Sequence, residues 1–365
     1  MDRREFLKTT GLAAAATAAT SAASAATSSL SSLPAPAVHA GVRDLHLAMA
    51  WPDTVSGLAD SANRLARRIE EATDRRYRIH LLAESDGAGS TFTSADVDLY
   101  HASEHDNACL DPAFAYFAGL PFSAGLAPAD LESWLTIGGG QELWDELGAE
   151  HGIKPLLAGH LGRAPHLWSN RIISATCDFE GLRIAAYGPT ADVMHALGAQ
   201  TIALPARQLG AALASGDIDA AEFGGSLHAM AAGLAPAARN AYAVDPLGTG
   251  TAISLGVRRR LWDSMSEGDR IIFSACASEA YRLAIAENNA HERIILKALC
   301  DLHSVSATAL QPEIRAALIP ITEAVVAMLA AATPHARRIN ASYMAFRRAV
   351  GSSNHAPRPD VAPLA

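Results

Sequence analysis

Two short stretches, SADVDLYHA (residues 94–102) and SGDIDAAEF (residues 215–223), share the order Ser-x-Asp-(Val or Ile)-Asp. Seven positions past its serine each carries a titratable side chain, His101 in the first and Glu222 in the second. An imidazole and a carboxylate at matched places can grip a polar solute, help hold a cation or move a proton. Glu104, His105 and Asp106 follow directly after the first stretch, the makings of an acid–base cluster. His101 and His105 stand four apart, but a strand end does not give them the one-face spacing that a helix gives a metal-binding pair. No HExxH, GxSxG or CxxCH occurs, and GGGQ at 138–141 lacks the Lys-Ser/Thr of a phosphate loop. Cys109, Cys177, Cys276 and Cys300 have no metal-ligand spacing and read as four lone thiols.

The elements around these residues follow from periodicity. Leu45, Leu47 and Met49 alternate as in a strand, and Leu58, Ala62, Leu65, Ala66 and Ile69 recur at helical spacing. Tyr77, Ile79 and Leu81 alternate again, so the body opens with a parallel strand–helix–strand unit and adds the first echo as a further strand. From Leu182 the scheme restarts: LRIAAYG and QTIALP read as strands, each followed by a helix, and DIDAAEF is the second echo strand. The fold class is α/β, with two lobes. We expect lobe one over residues 42–158, with about 247–285 returning to it, and lobe two over 159–246. The helical stretch of about 286–350 is assigned to lobe two, and 351–365 to a disordered tail. Open parallel sheets bind ligands beyond the carboxyl ends of their strands. His101 and Glu222 are therefore expected to face the cleft between the lobes, with Trp51 and Trp168 as its walls. Ile339, Tyr343, Phe346 and Val350 share one face of the last helix, which suits packing on its own lobe or on a second copy.

The first 26 residues stand apart. Arg3-Arg4 precede Phe6-Leu7-Lys8, a weakly apolar Ala/Thr/Ser run and small-residue cleavage options after Ala25 or Ala40, the order of a twin-arginine export signal. Residues 27–41 form a Ser/Pro/Ala linker. The most apolar later stretch, 316–332, is broken by Pro320, Thr322 and Glu323, so a soluble, exported, periplasmic protein is expected. With 365 residues, half of them apolar, there is material for about two domains. A formal charge of −9 disfavours nucleic acid or an anionic membrane as partner.

The stretches AMAWP, VDLYHA, LPF, GGGQELWDELGAEHGIKPLLAG, GLRIAAYG, LGAQTIALPARQLGAALASGDIDAAEF and ASYMAFRRAV run from about residue 45 to 350. On them the chain resembles the periplasmic solute-binding proteins of TRAP transporters, the DctP family, most closely its 2-oxo acid and monocarboxylate subgroup. The resemblance implies a two-lobed receptor that closes on a small organic acid and presents it to membrane permease subunits. It further implies that the arginine of the GLxxR/GLRI strand, read as Arg183, pairs with the ligand carboxylate, with Arg163 as the next candidate. In that subgroup a cation bridges ligand and protein through a glutamine, a Glu-Trp pair and a later glutamate. Here Glu222 is kept, Phe223 replaces the tryptophan, and the glutamine and glutamate positions fall on Ala164 and Gly248, with Asp245 the nearest carboxylate. His105 and Asp106 replace the family's aromatic pair. The expectation is no cofactor and a lost or remodelled cation site, since one carboxylate and one carbonyl are few donors for a hard cation. The subgroup also exchanges its terminal helix in a homodimer. Two alternatives remain: a periplasmic enzyme using His101, Glu104, His105 and Asp106, or a non-transport sensor.

Overall fold

The computed structural model describes residues 41–52, 57–82, 96–162, 166–243 and 249–354 of the chain. The signal, and the linker up to residue 40, therefore lie outside the described residues.

The first lobe starts as the alternation dictates. β1 (Arg43–Met49) turns Leu45, Leu47 and Met49 inward, and α1 (Leu58–Ala72) buries its Leu/Ala/Ile face while its arginines and glutamates meet solvent. β2 (Tyr77–Leu82) and β3 (Leu99–Ala102) pair with β1, both parallel. Then come α2 (Ala115–Ala118), α3 (Pro128–Thr136), α4 (Gly140–Glu150) and β4 (Ile153–His160).

β4 leads across to the second lobe. There lie β5 (His166–Ser169), β6 (Arg183–Ala185), α5 (Gly188–Ala196), β7 (Gln200–Ile202), α6 (Ala206–Ser215), β8 (Ala220–Glu222), α7 (Ser226–Ala231), α8 (Leu234–Ala237) and β9 (Asn240–Ala243). The chain returns through β10 (Ala252–Arg258), which inserts antiparallel between β3 and β4 and completes the first sheet, β2-β1-β3-β10-β4. After α9 (Arg259–Ser264), the helix α10 (Glu267–His303, 37 residues) runs along both lobes and delivers β11 (Ser306–Ala309) to the second sheet, β11-β9-β5-β8-β6-β7. α11 (Pro312–Ala332) and α12 (Pro334–Asn354) end the described chain.

The echo has a structural cause in both lobes. Asp98, just before β3, accepts the N–H of His46 on β1 at 3.1 Å; Asp219, just before β8, accepts the N–H of Arg183 on β6 at 3.0 Å. Each aspartate pins the neighbouring parallel strand in register, and each strand then carries its titratable residue toward its carboxyl end.

One expectation changes. The stretch 286–350 does not belong wholly to lobe two. α12 packs on lobe one, where Ile339 and Tyr343 join Tyr116, Trp134 and Trp144 in one buried cluster. The Tyr343 hydroxyl accepts the Leu126 N–H at 2.9 Å, and Trp134 Nε1 donates to Ser342 Oγ at 3.1 Å. α11 bridges the lobes, with Ile314, Leu318 and Val325 in a lobe-two cluster and Val326 in that of lobe one. By length and composition α11 could cross a membrane despite Pro320, but these four residues seat it in the core of the molecule.

Candidate functional site

The site forms at the seam where the strand ends of the two lobes meet. His101, third residue of β3, is fully buried; its ring meets Trp51 edge-on at 5.2 Å between centroids. Neither ring nitrogen makes an aligned hydrogen bond, although the Ala158 carbonyl lies near, and Trp51 Nε1 is likewise unpartnered. Burial lowers the His101 pKa to about 4, so the imidazole is neutral at pH 7.

Lobe two closes onto this end. His105, in the 3₁₀ turn Glu104–Asn107, lays its ring on Gly188 at the start of α5: a Cβ there would lie 2.5 Å from His105 Nδ1. His105 is partly exposed as a residue, but Nδ1 is sealed and unpartnered, and burial lowers its pKa to about 4. At the other side of the seam, a Cβ on Gly57 would lie 2.9 Å from Leu227 Cδ2 and 3.4 Å from His228 Nε2. His228 on α7 is buried, its Nδ1 is unpartnered, and burial lowers its pKa to about 4. His160, the last residue of β4, is fully engaged: Nδ1 accepts the Gly162 N–H and Nε2 donates to the Thr249 carbonyl, which assigns its tautomer. Phe223 packs against core residues of both lobes, and Glu222 beside it is half-buried.

Arg183 is not at this seam. It opens β6, at the amino end of the parallel β6–β8 pair, opposite to Glu222. There its Nε and Nη2 form a two-pronged bond to the Asp219 carboxylate at 3.1 and 2.9 Å, which holds that carboxyl below its usual range. Counted from Gly181, the fifth position of GLxxR is residue 185, an alanine at the carboxyl end of β6. The strand thus carries alanine where the motif carries its cleft-side arginine.

Three further residues depart from expectation. Trp168 is a core residue of lobe two, packed with Leu209, Leu213 and Ile218, because its position on β5 points into that lobe. Glu104 turns inward: Tyr100 donates to its Oε1 at 2.8 Å and Asn107 to its Oε2 at 2.8 Å, and burial raises its pKa. Asp106 stays exposed. The four members of the proposed acid–base cluster therefore face different environments. Arg163, Ala164, Asp245 and Gly248 lie outside the described residues. Among the described residues no three His, Cys, Asp or Glu side chains are placed to hold a metal ion.

His228, His160 and Gly188 were not singled out from the sequence. His228 was within reach, because it follows the Glu222 strand end by six residues in EFGGSLH. Gly188 was not, because its importance is a contact made by the opposite lobe.

Comparison with known proteins agrees with this architecture. The family model of bacterial extracellular solute-binding proteins, family 7 (DctP), matches residues 48–332. A monocarboxylate 2-oxoacid-binding periplasmic protein of Nostoc sp. is 27% identical over 287 residues, 77% of this chain and 76% of that one. A TRAP transporter solute-binding protein of Bordetella bronchiseptica superposes with a TM-score of 0.80 at 21% identity, covering 87% of this chain and 95% of that one. Its mixed-occupancy dimer holds copurified calcium and picolinate in one site, the other being apo. A TRAP periplasmic solute-binding protein of Pseudoalteromonas atlantica, with bound sodium and pyruvate, gives 0.79 at 22% identity over 86% of this chain and 96% of that one. The structural likenesses carry the two-lobed fold. Together with the family match over most of its length, they make this chain a member of the DctP family of TRAP solute-binding proteins.

Proposed function

We propose that this receptor captures a small organic acid between its lobes and hands it, unreacted, to the TRAP permease subunits in the membrane. The observation that carries the reading is the seam itself: His101, His105 and His228 lie along it, neutral, each with a sealed ring nitrogen that makes no aligned hydrogen bond. Such groups are costly unless a bound molecule satisfies them. The dispersal of Glu104 and Asp106 argues against turnover: Glu104 is bonded to Tyr100 and Asn107 rather than to His101 or His105, so it does not back either imidazole as acid–base catalysis needs. With Arg183 engaged by Asp219, Arg163, three residues after the end of β4 in the sequence, becomes the candidate for the carboxylate. Arg163→Ala is expected to weaken binding by about 2–5 kcal/mol, the range for truncating one partner of a buried charge pair.

The relatives' calcium and sodium make a bridging cation a natural comparison. Glu222 is the only family side-chain donor kept in place here, so we take solute binding to be independent of added metal. Thermal shift against a panel of organic acids, in chelator and in millimolar calcium, tests both points. A ligand at about 100 times its Kd adds about 2.7 kcal/mol of stability. A shift with no acid would remove the receptor reading of this cleft, and a tenfold calcium effect on affinity would restore the cation site. Export is assigned to the twin-arginine route, and changing Arg3 and Arg4 together to Lys should leave the precursor in the cytoplasm.

A further inference from the structure

Behind the seam, where both lobes meet α10, lies a narrow cavity of about 10 Å³, the room of one water-sized group. Its polar lining comes from five elements: Ser61 on α1, His101 on β3, His160 on β4, His228 on α7, and Glu287 with Asn288 on α10. Ser61, His101, His228 and Asn288 are each at least nine-tenths buried. Both nitrogens of His101, Nδ1 of His228 and Oδ1 of Asn288 make no aligned hydrogen bond, although the Ala158 carbonyl lies near His101 and the Leu161 carbonyl near His228. The charge of Glu287 is already answered by the two-pronged Arg64 guanidinium at 2.7 and 3.4 Å. His160, the remaining imidazole of the wall, has both nitrogens engaged.

This lining selects a chemistry. A neutral imidazole offers one N–H and one bare nitrogen, and an amide oxygen only accepts. A group seated among them must accept and donate at once, be small, and carry no charge. A hydroxyl meets all three conditions. A keto or carboxylate oxygen donates nothing and would leave acceptors facing lone pairs, and an ammonium has no acceptor.

We infer that this cavity is a one-oxygen subsite for a hydroxyl of the solute, closed by His101 from one lobe and His228 from the other. The solute class is then a short hydroxy acid rather than its oxo counterpart. The inference rests on the organic-acid reading above and adds the second functional group that the acid carries. Because His228 arrives with lobe two, the hydroxyl is gripped from both sides only when the lobes are closed, so it favours closure as well as affinity.

Calorimetry of the purified protein with each enantiomer of lactate, with glycerate, pyruvate and propionate at neutral pH decides it. At least one hydroxy acid is expected to bind ten or more times tighter than propionate and pyruvate, about 1.4 kcal/mol. In His228→Leu that ratio should fall below threefold, whatever happens to the affinity for propionate itself. His101→Phe, changed in the other lobe, should give the same collapse and guards against one variant failing to fold. Pyruvate binding as tightly as the hydroxy acids, or a parallel loss for all acids in both variants, would overturn the subsite and leave the receptor reading intact. No binding of any of the five acids to the parent protein would remove that reading and the subsite with it.

Discussion

Arg183 and Asp219 behave as a fastener of lobe two. The same bond pattern recurs at His46 and Asp98 in lobe one, where no ligand role is in question. Arg183→Ala should therefore lower thermal stability only slightly, as expected of a partly exposed pair, and change solute affinity by less than twofold. Calorimetry beside a melting curve separates the two effects. The buried imidazoles predict a second effect. His101, His105 and His228 sit near pKa 4 when folded and near 6.5 when unfolded. Between those values the unfolded chain binds more protons, so stability is full above about pH 6.5 and falls as pH drops toward 4. Urea unfolding at pH 7.5, 6, 5 and 4.5 should show that slope, and His101→Phe should flatten it. At this scale the sequence was only partly legible. His101 and Glu222 were placed toward the carboxyl ends of their strands because the echo marks those ends. Arg183 was misplaced because motif spacing and strand polarity were not counted together, and a strand start faces away from the cleft.

The elements of the two parallel α/β units followed from periodicity, because amphipathic strands and helices bury one face wherever the chain later takes them. β1, α1, β2 and both echo strands fall where alternation and helical spacing put them. β11 was missed: SATA has no apolar alternation and is exposed, and it is a strand only because β9 offers a free edge. The last helix shows the same limit. Its apolar face was plain in the sequence, but which surface would cover that face was not. Tyr343 settles it by lying fully buried beside Trp134 and Tyr116, with its hydroxyl bonded to the loop before α3. Tyr343→Ala is expected to cost about 3–5 kcal/mol, and Tyr343→Phe about 1–3 kcal/mol for the amide left without its acceptor. Chemical denaturation of both variants checks the order. Equal, negligible losses would mean that α12 is held elsewhere, for instance on a second copy.

At the scale of the molecule, binding has to be coupled to the approach of two lobes, and one close approach across the seam is His105 on Gly188. Residue 188 has a φ of +52°, and a Cβ there would overlap the His105 ring. Gly188→Ala therefore carries two penalties: backbone strain, present whether the lobes are open or closed, and a clash present only in the closed form. Gly216 separates them. It ends α6 at φ +79° with open space where a Cβ would go, so Gly216→Ala carries strain alone. Both variants should lose about 1–2 kcal/mol of folding stability from the left-handed backbone. Only Gly188→Ala should also lose affinity, because apparent Kd rises as the closed fraction falls. A weakening of tenfold or more, with small-angle scattering that stays expanded at saturating solute, is the expected result. His105→Ala should then recover much of the affinity in the Gly188→Ala background, since it removes the ring that the new methyl group strikes. Equal affinities for the two glycine variants would mean that solute is held without this contact, and that the lobes meet elsewhere when they close.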